Sequence, residues 1–167
     1  MPPQSSPNAD IGLTVAESTP RPPELPRAPQ GAPSVLVILL DDTGFAQLGC
    51  FGADIATPSI DRLAAGGLAY NRFHVTALCS PTRAALLTGR NHHAVGMGFL
   101  SDMTMGFPGY AARIPPSAAM MPRILRDAGW GTMAIGKWHL APRGERSAAG
   151  PFTLWPTGVG FERYYGV

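Results

Sequence analysis

Val35-Leu36-Val37-Ile38-Leu39-Leu40-Asp41-Asp42-Thr43-Gly44 is the stretch that decides the fold class. Its six consecutive apolar residues leave no polar face, and Val35, Val37 and Ile38 are β-branched. That is the pattern of a strand buried on both sides, as in a parallel sheet covered by helices. The run closes on two carboxylates followed by Thr43 and Gly44. Open α/β sheets bind ligands at the carboxyl ends of such strands. Asp41 and Asp42 are therefore the first candidate site residues, although an Asp pair at a strand end can also simply cap a turn.

Before this strand, residues 1–33 hold nine of the chain's 18 prolines, too many for ladders or helices. They read as an extended leader, with order beginning at Ser34. The remainder, 34–167, has an ordinary globular composition. A net charge of +2 without a Lys/Arg stripe argues against nucleic acid as a partner. No apolar run is long enough to span a bilayer, and no signal-like start is visible. The expectation is a soluble, cytoplasmic chain with no membrane partner; a different native start would allow a periplasmic or secreted one. The two cysteines, Cys50 and Cys79, allow one disulfide by count alone, which a domain of this size does not need, and Cys50 reads as structural.

After the first strand, Thr57-Pro58 opens a helix that Gly66-Gly67 stops. Leu68 to Val75 alternates as a strand would. Pro81 starts a helix ending near Gly89, and another lies within 117–127, from Ser117 or only from Pro122. Thr132-Met133-Ala134-Ile135 reads as a second short buried strand; residues 160–167 suggest no regular element. Strands alternating with helices imply an α/β sandwich.

Three constellations carry chemistry. In Cys79-Ser80-Pro81-Thr82-Arg83, the proline sets the first turn of a helix, placing Cys79 where free N–H groups and the helix dipole favour negative charge. Arg83, one turn on, projects a cation towards the same place. A buried thiol is the plain alternative. The second is Asp41-Asp42, hard oxygen donors suited to a divalent cation. The third is Gly136-Lys137-Trp138-His139, where strand alternation would put Lys137 and His139 on one face with Trp138 opposite. Lys137 is the chain's only lysine, against twelve arginines. His92-His93 reads as a wall of the cleft rather than a metal pair.

Cys79-Ser80-Pro81-Thr82-Arg83 with its extension Ala84-Ala85-Leu86-Leu87-Thr88-Gly89-Arg90 resembles the signature of the type I, formylglycine-dependent sulfatases. Asp41-Asp42, Ala56-Thr57-Pro58-Ser59-Ile60-Asp61, Gly136-Lys137-Trp138-His139-Leu140 and Gly160-Phe161-Glu162-Arg163 extend the resemblance over 34–167. Two positions depart from the family pattern: Thr43 stands where an apolar residue is usual, and Ala141 where a glycine is. The resemblance implies an alkaline-phosphatase-like α/β/α sandwich with a mixed, mostly parallel sheet, of which 34–167 is the N-terminal, incomplete part.

It also implies arylsulfatase-like hydrolysis of a sulfate ester. A formylglycine-generating enzyme would oxidise Cys79, and the hydrated aldehyde would attack sulfur. Asp41, Asp42 and residue 79 would ligate Ca2+, or Mg2+ or Mn2+. Arg83 and Lys137 would hold the anionic groups, and His139 would take the proton that releases sulfate. Further metal ligands and the groups assisting the leaving group are not found after His139, so the chain alone is expected to be inactive. Phosphonate monoester or phosphodiester hydrolysis is the neighbouring reading; a non-enzymatic remnant is the distant one.

Overall fold

The computed structural model describes residues 12–20 and 25–167; the rest of the leader lies outside the described residues. Three helices, α1 (Pro58–Gly66), α2 (Cys79–Thr88) and α3 (Met121–Asp127), accompany a two-stranded parallel sheet of β1 (Met133–Ile135) and β2 (Arg163–Tyr165). Met133 pairs with Arg163 and Ile135 with Tyr165. The second strand lies where the sequence suggested no element. Its partner is thirty residues away, a distance over which local pattern carries no pairing information.

α1 begins and ends as its sequence predicts, but Thr57 serves a longer contact than capping. Its hydroxyl donates to Asp61 Oδ1 and accepts from the Gly49 N–H, while the Cys50 N–H donates to the same carboxylate oxygen. Cys50, half-buried and free, is thus held on a short turn latched to α1. α2 starts two residues earlier than Pro81: Leu78 is the N-cap and Cys79 the first helical residue. Proline at the third position still costs nothing, because that N–H has no partner within the helix. Gly89, at φ 63°, closes α2 with its N–H on the Ala85 carbonyl.

The core lies between α2 and the chain around 138–159. Ala84, Met97, Met120, Trp138, Leu140 and Leu154 pack there, with Phe161 edge-on to Trp138 at 6.1 Å. Burying six such side chains supplies the main drive for this half of the molecule, at about 1.5–3 kcal/mol for each large one.

Two expected strands are corrected. Residues 35–40 form no ladder, and their side chains are exposed, from 39% at Leu39 to 84% at Leu36. A strand buried on both faces needs an edge partner and two covering layers, and the described residues provide none of them. The ends of the run are nevertheless fixed beside the ends of β1. Trp130 Nε1 donates to the Pro33 carbonyl, and Lys137 pairs with Asp41. Residues 68–75 are likewise irregular, with Leu68, Tyr70 and Phe73 exposed. β1 was expected to be buried, but Met133 and Ile135 face outward.

Part of the leader packs on this frame. The Ala28 N–H donates to the Gly129 carbonyl at 3.1 Å. Gly129 has φ +94°, and a Cβ there would overlap the Arg27 carbonyl carbon. Glycine is required by both conformation and close approach.

Candidate active site

Chain turns, not strand alternation, bring the third motif to the first. β1 ends at Ile135, and Gly136 (φ 97°) and His139 (φ 55°) bend the following loop. Lys137 and His139 still face the same cluster, while Trp138 turns into the core and donates from Nε1 to the Leu154 carbonyl at 2.8 Å. The expected division of sides holds, though not by the expected geometry.

At the start of α2, Cys79 Sγ lies 3.0 Å from His139 Nδ1. Arg83, with a side chain 12% exposed, donates from Nη1 to the Lys137 carbonyl and from Nη2 to Asp41 Oδ1 at 3.1 Å. Lys137 Nζ lies 2.6 Å from Asp41 Oδ2. Both oxygens of Asp41 are therefore bridged by cations from two separate motifs. The hydrogen bond from Lys137 leads in holding the Asp41 carboxyl below its ordinary value, and the same bond raises the Lys137 ammonium. Burial, reinforced by the charge of Lys137, pushes the His139 imidazole down, which favours its neutral form.

The five residues Asp41, Cys79, Arg83, Lys137 and His139 form one connected group. Asp42 is adjacent, exposed, and held at φ 53° in the bend that follows the apolar run. By donor chemistry the Asp pair fits a hard divalent cation, but it supplies two residues of a shell needing about six to eight oxygens. Among the described residues no cluster of three or more His, Cys, Asp and Glu is formed. Cys79 as a thiol is a soft donor, poorly matched to such an ion; an oxygen in its place would match. Its half-buried place at the first position of α2, beside Arg83 and His139, suits an oxygen function.

A cavity of about 480 Å³ opens beside Lys137 and His139, walled by Trp155, Pro156, Tyr164 and Arg146. The Tyr164 hydroxyl lies 2.9 Å from both the Gly136 and the Val167 carbonyl and shares its one proton between them, and burial raises its pKa from 10.0. Sequence reasoning missed Tyr164, Arg146 and Trp155, since no motif contains them. It also passed over Ser80, although that residue lies inside the Cys79 motif; a small hydroxyl in a helix's first turn was the available signal. His92 and His93 are not brought to the cluster. They lie beyond the far end of α2, with His92 Nδ1 near the Met97 carbonyl and His93 Nε2 3.1 Å from the Tyr110 hydroxyl.

Comparison with known proteins identifies the family. The Sulfatase family model matches residues 33–167. The chain is 40% identical over 115 residues to an uncharacterized sulfatase of Schizosaccharomyces pombe, covering 65% of this chain and 21% of that protein. It is 36% identical over 115 residues to the arylsulfatase of Klebsiella aerogenes, covering 68% and 25%. With the human N-acetylgalactosamine-6-sulfatase it shares 36% over 146 residues, covering 83% and 26%. Among solved structures, Ps i-CgsB superposes with a TM-score of 0.62 at 34% identity, over 75% of this chain and 26% of that one. The chain thus spans about a quarter of the length of the relatives it matches. No helix among the described residues is long and apolar enough to cross a membrane. The parallel strands and helices are part of an alkaline-phosphatase-like α/β fold, and the chain belongs to the sulfatase family.

Proposed function

We propose that this chain carries the nucleophile half of a sulfuric ester hydrolase. Cys79 is the residue oxidised to formylglycine by a maturation enzyme, and Asp41 and Asp42 contribute to a site for Ca2+ or a similar divalent cation. The observation that carries this reading is the convergence of Cys79, His139, Arg83, Lys137 and Asp41 from three distant segments. When present, the formylglycine hydrate supplies a nucleophilic oxygen and the cation offsets sulfate charge.

The protein's own residues do the remaining work. Arg83 is anchored on the Lys137 carbonyl and so offers a fixed positive charge beside residue 79. Lys137 reaches the same place on a longer, more exposed stem and suits the sulfate oxygens. His139, kept neutral by burial, can accept a proton at Nδ1 from the function at position 79. The organic part of the ester would occupy the neighbouring cavity.

Half a site is not an enzyme. On its own the chain is expected to leave aryl sulfates unhydrolysed, and measurable turnover by the purified chain would overturn that expectation. The chemistry is tested by mass spectrometry of the tryptic peptide Phe73–Arg83 from cells that contain the formylglycine-generating enzyme. An aldehyde at position 79 supports the reading; an unmodified thiol throughout refutes it.

A further inference from the structure

We propose that Ser80 is a positioning residue that holds His139 against residue 79, an inference that rests on the function proposed above for that site. Ser80 is completely buried at the second position of α2. Its hydroxyl donates to the His139 backbone carbonyl at 2.8 Å and accepts the Ser101 N–H at 3.2 Å. One oxygen thus ties together the helix that carries Cys79, the loop that carries His139, and the segment at 101.

The tie matters because His139 sits at φ 55°, a left-handed conformation that a residue with a Cβ adopts only at a cost. In that conformation the carbonyl points back to Ser80 while the imidazole reaches Cys79, whose sulfur is 3.0 Å away. Removing the hydroxyl strands both the His139 carbonyl and the Ser101 N–H, while the Lys137 carbonyl and the Trp138 N–H keep their bonds to Arg83 and Val167. Arg83 is tied to the Lys137 carbonyl and both cations pair with Asp41, so the loop stays anchored at 137 and loss of the Ser80 hydroxyl falls on His139. The hydroxyl therefore acts through His139 and touches no reacting atom.

The unconverted chain offers a direct readout, because an imidazole accepting the S–H bond makes a thiol more nucleophilic. Cys79 is alkylated with iodoacetamide at fixed neutral pH and followed by peptide mass spectrometry, with Cys50 as internal reference. Ser80→Ala is expected to slow Cys79 by about three- to ten-fold, the range for one lost buried hydrogen bond, and to leave Cys50 unchanged. Ser80→Thr, which keeps the hydroxyl, retains the original rate. His139→Ala matches Ser80→Ala, and the double variant is no slower than either. An unchanged or faster Cys79 rate in folded Ser80→Ala, or additive slowing in the double variant, overturns the proposal.

Should Ser80→Ala lose the near-ultraviolet signal of the folded chain, the unsubstituted protein decides by NMR. A protected Ser80 hydroxyl proton coupled across the hydrogen bond to the His139 carbonyl carbon supports the tie; its absence refutes it. Because alkylation is read on the thiol, it can fail while conversion to the aldehyde succeeds, and the reverse.

Discussion

Glu145 is the sharpest place to test the packing that builds the wall of the site. Its carboxylate is 2% exposed and accepts from Arg113 Nη2, from the Thr153 hydroxyl at 2.9 Å and from the Leu154 N–H at 3.2 Å. Its backbone carbonyl accepts from Trp155 Nε1. Glu145→Ala leaves the buried Leu154 N–H without a partner, at about 1–3 kcal/mol. The half-exposed Arg113 is rehydrated at little cost, and the Thr153 hydroxyl, only partly buried, can turn to water. Lost contacts of the deleted methylene add about 1 kcal/mol. The expected destabilisation is therefore about 2–4 kcal/mol. Glu145→Gln keeps the shape and one acceptor oxygen, and should cost about half as much. Urea unfolding followed by tryptophan fluorescence measures both, since Trp138 and Trp155 lie in this region. A Glu145→Ala chain within about 0.5 kcal/mol of the parent would refute the view that this carboxylate organises 141–155.

Asp41→Asn should cost the isolated chain no more than about 1 kcal/mol, because the pairs with Lys137 and Arg83 are partly exposed and screened by salt. The folded-state pKa of Asp41 is depressed, so its contribution is present above 3.8 and disappears as the pH falls through the folded value; thermal melts of both chains at low pH would show the difference closing. Tyr164 behaves oppositely. Its pKa is raised above 10.0, so its contribution is full below that pH and is lost as the pH rises through the folded value. Tyr164→Phe should cost about 0.5–1.5 kcal/mol at neutral pH and remove a phenol that titrates above 10.0 from the ultraviolet absorbance. Gly129→Ala should release residues 25–33, because its Cβ would collide with the Arg27 backbone at a φ of +94°. Faster tryptic cleavage after Arg27, with the remaining cleavage pattern unchanged, would be the sign; an unchanged rate would count against the packing described.

The candidate site residues were easier to read from sequence than the short sheet beside them. Cys79, Arg83, Lys137 and His139 stand in short motifs whose resemblance to the sulfatase signature singled them out. Their convergence followed even where the local geometry was read wrongly, as with the loop that replaced an expected strand at 137–139. Helices were legible because their ends are local: Pro58 and Gly67, or Gly89, act within one turn. Strands were not, because pairing depends on a partner far along the chain. The apolar run at 35–40 names an environment that the described residues do not supply, whereas Arg163–Tyr165 acquires strand geometry only through Met133–Ile135. Ser80 and Tyr164 were hidden for a related reason: their importance lies in backbone carbonyls that no side-chain pattern encodes.

The uncovered run at 35–40 has a practical outcome of a different kind. Six adjacent apolar side chains flank a backbone whose amides make no ladder, and such strips template pairing with any extended chain nearby. In concentrated solution the commonest extended chain is another copy. Light scattering should therefore rise with protein concentration and fall when a charge is placed at Leu36. Asp41 and Asp42 terminate the strip, so self-association would crowd the two carboxylates proposed above to contribute to a cation site. Any affinity measured for that cation is expected to depend on how dilute the protein is.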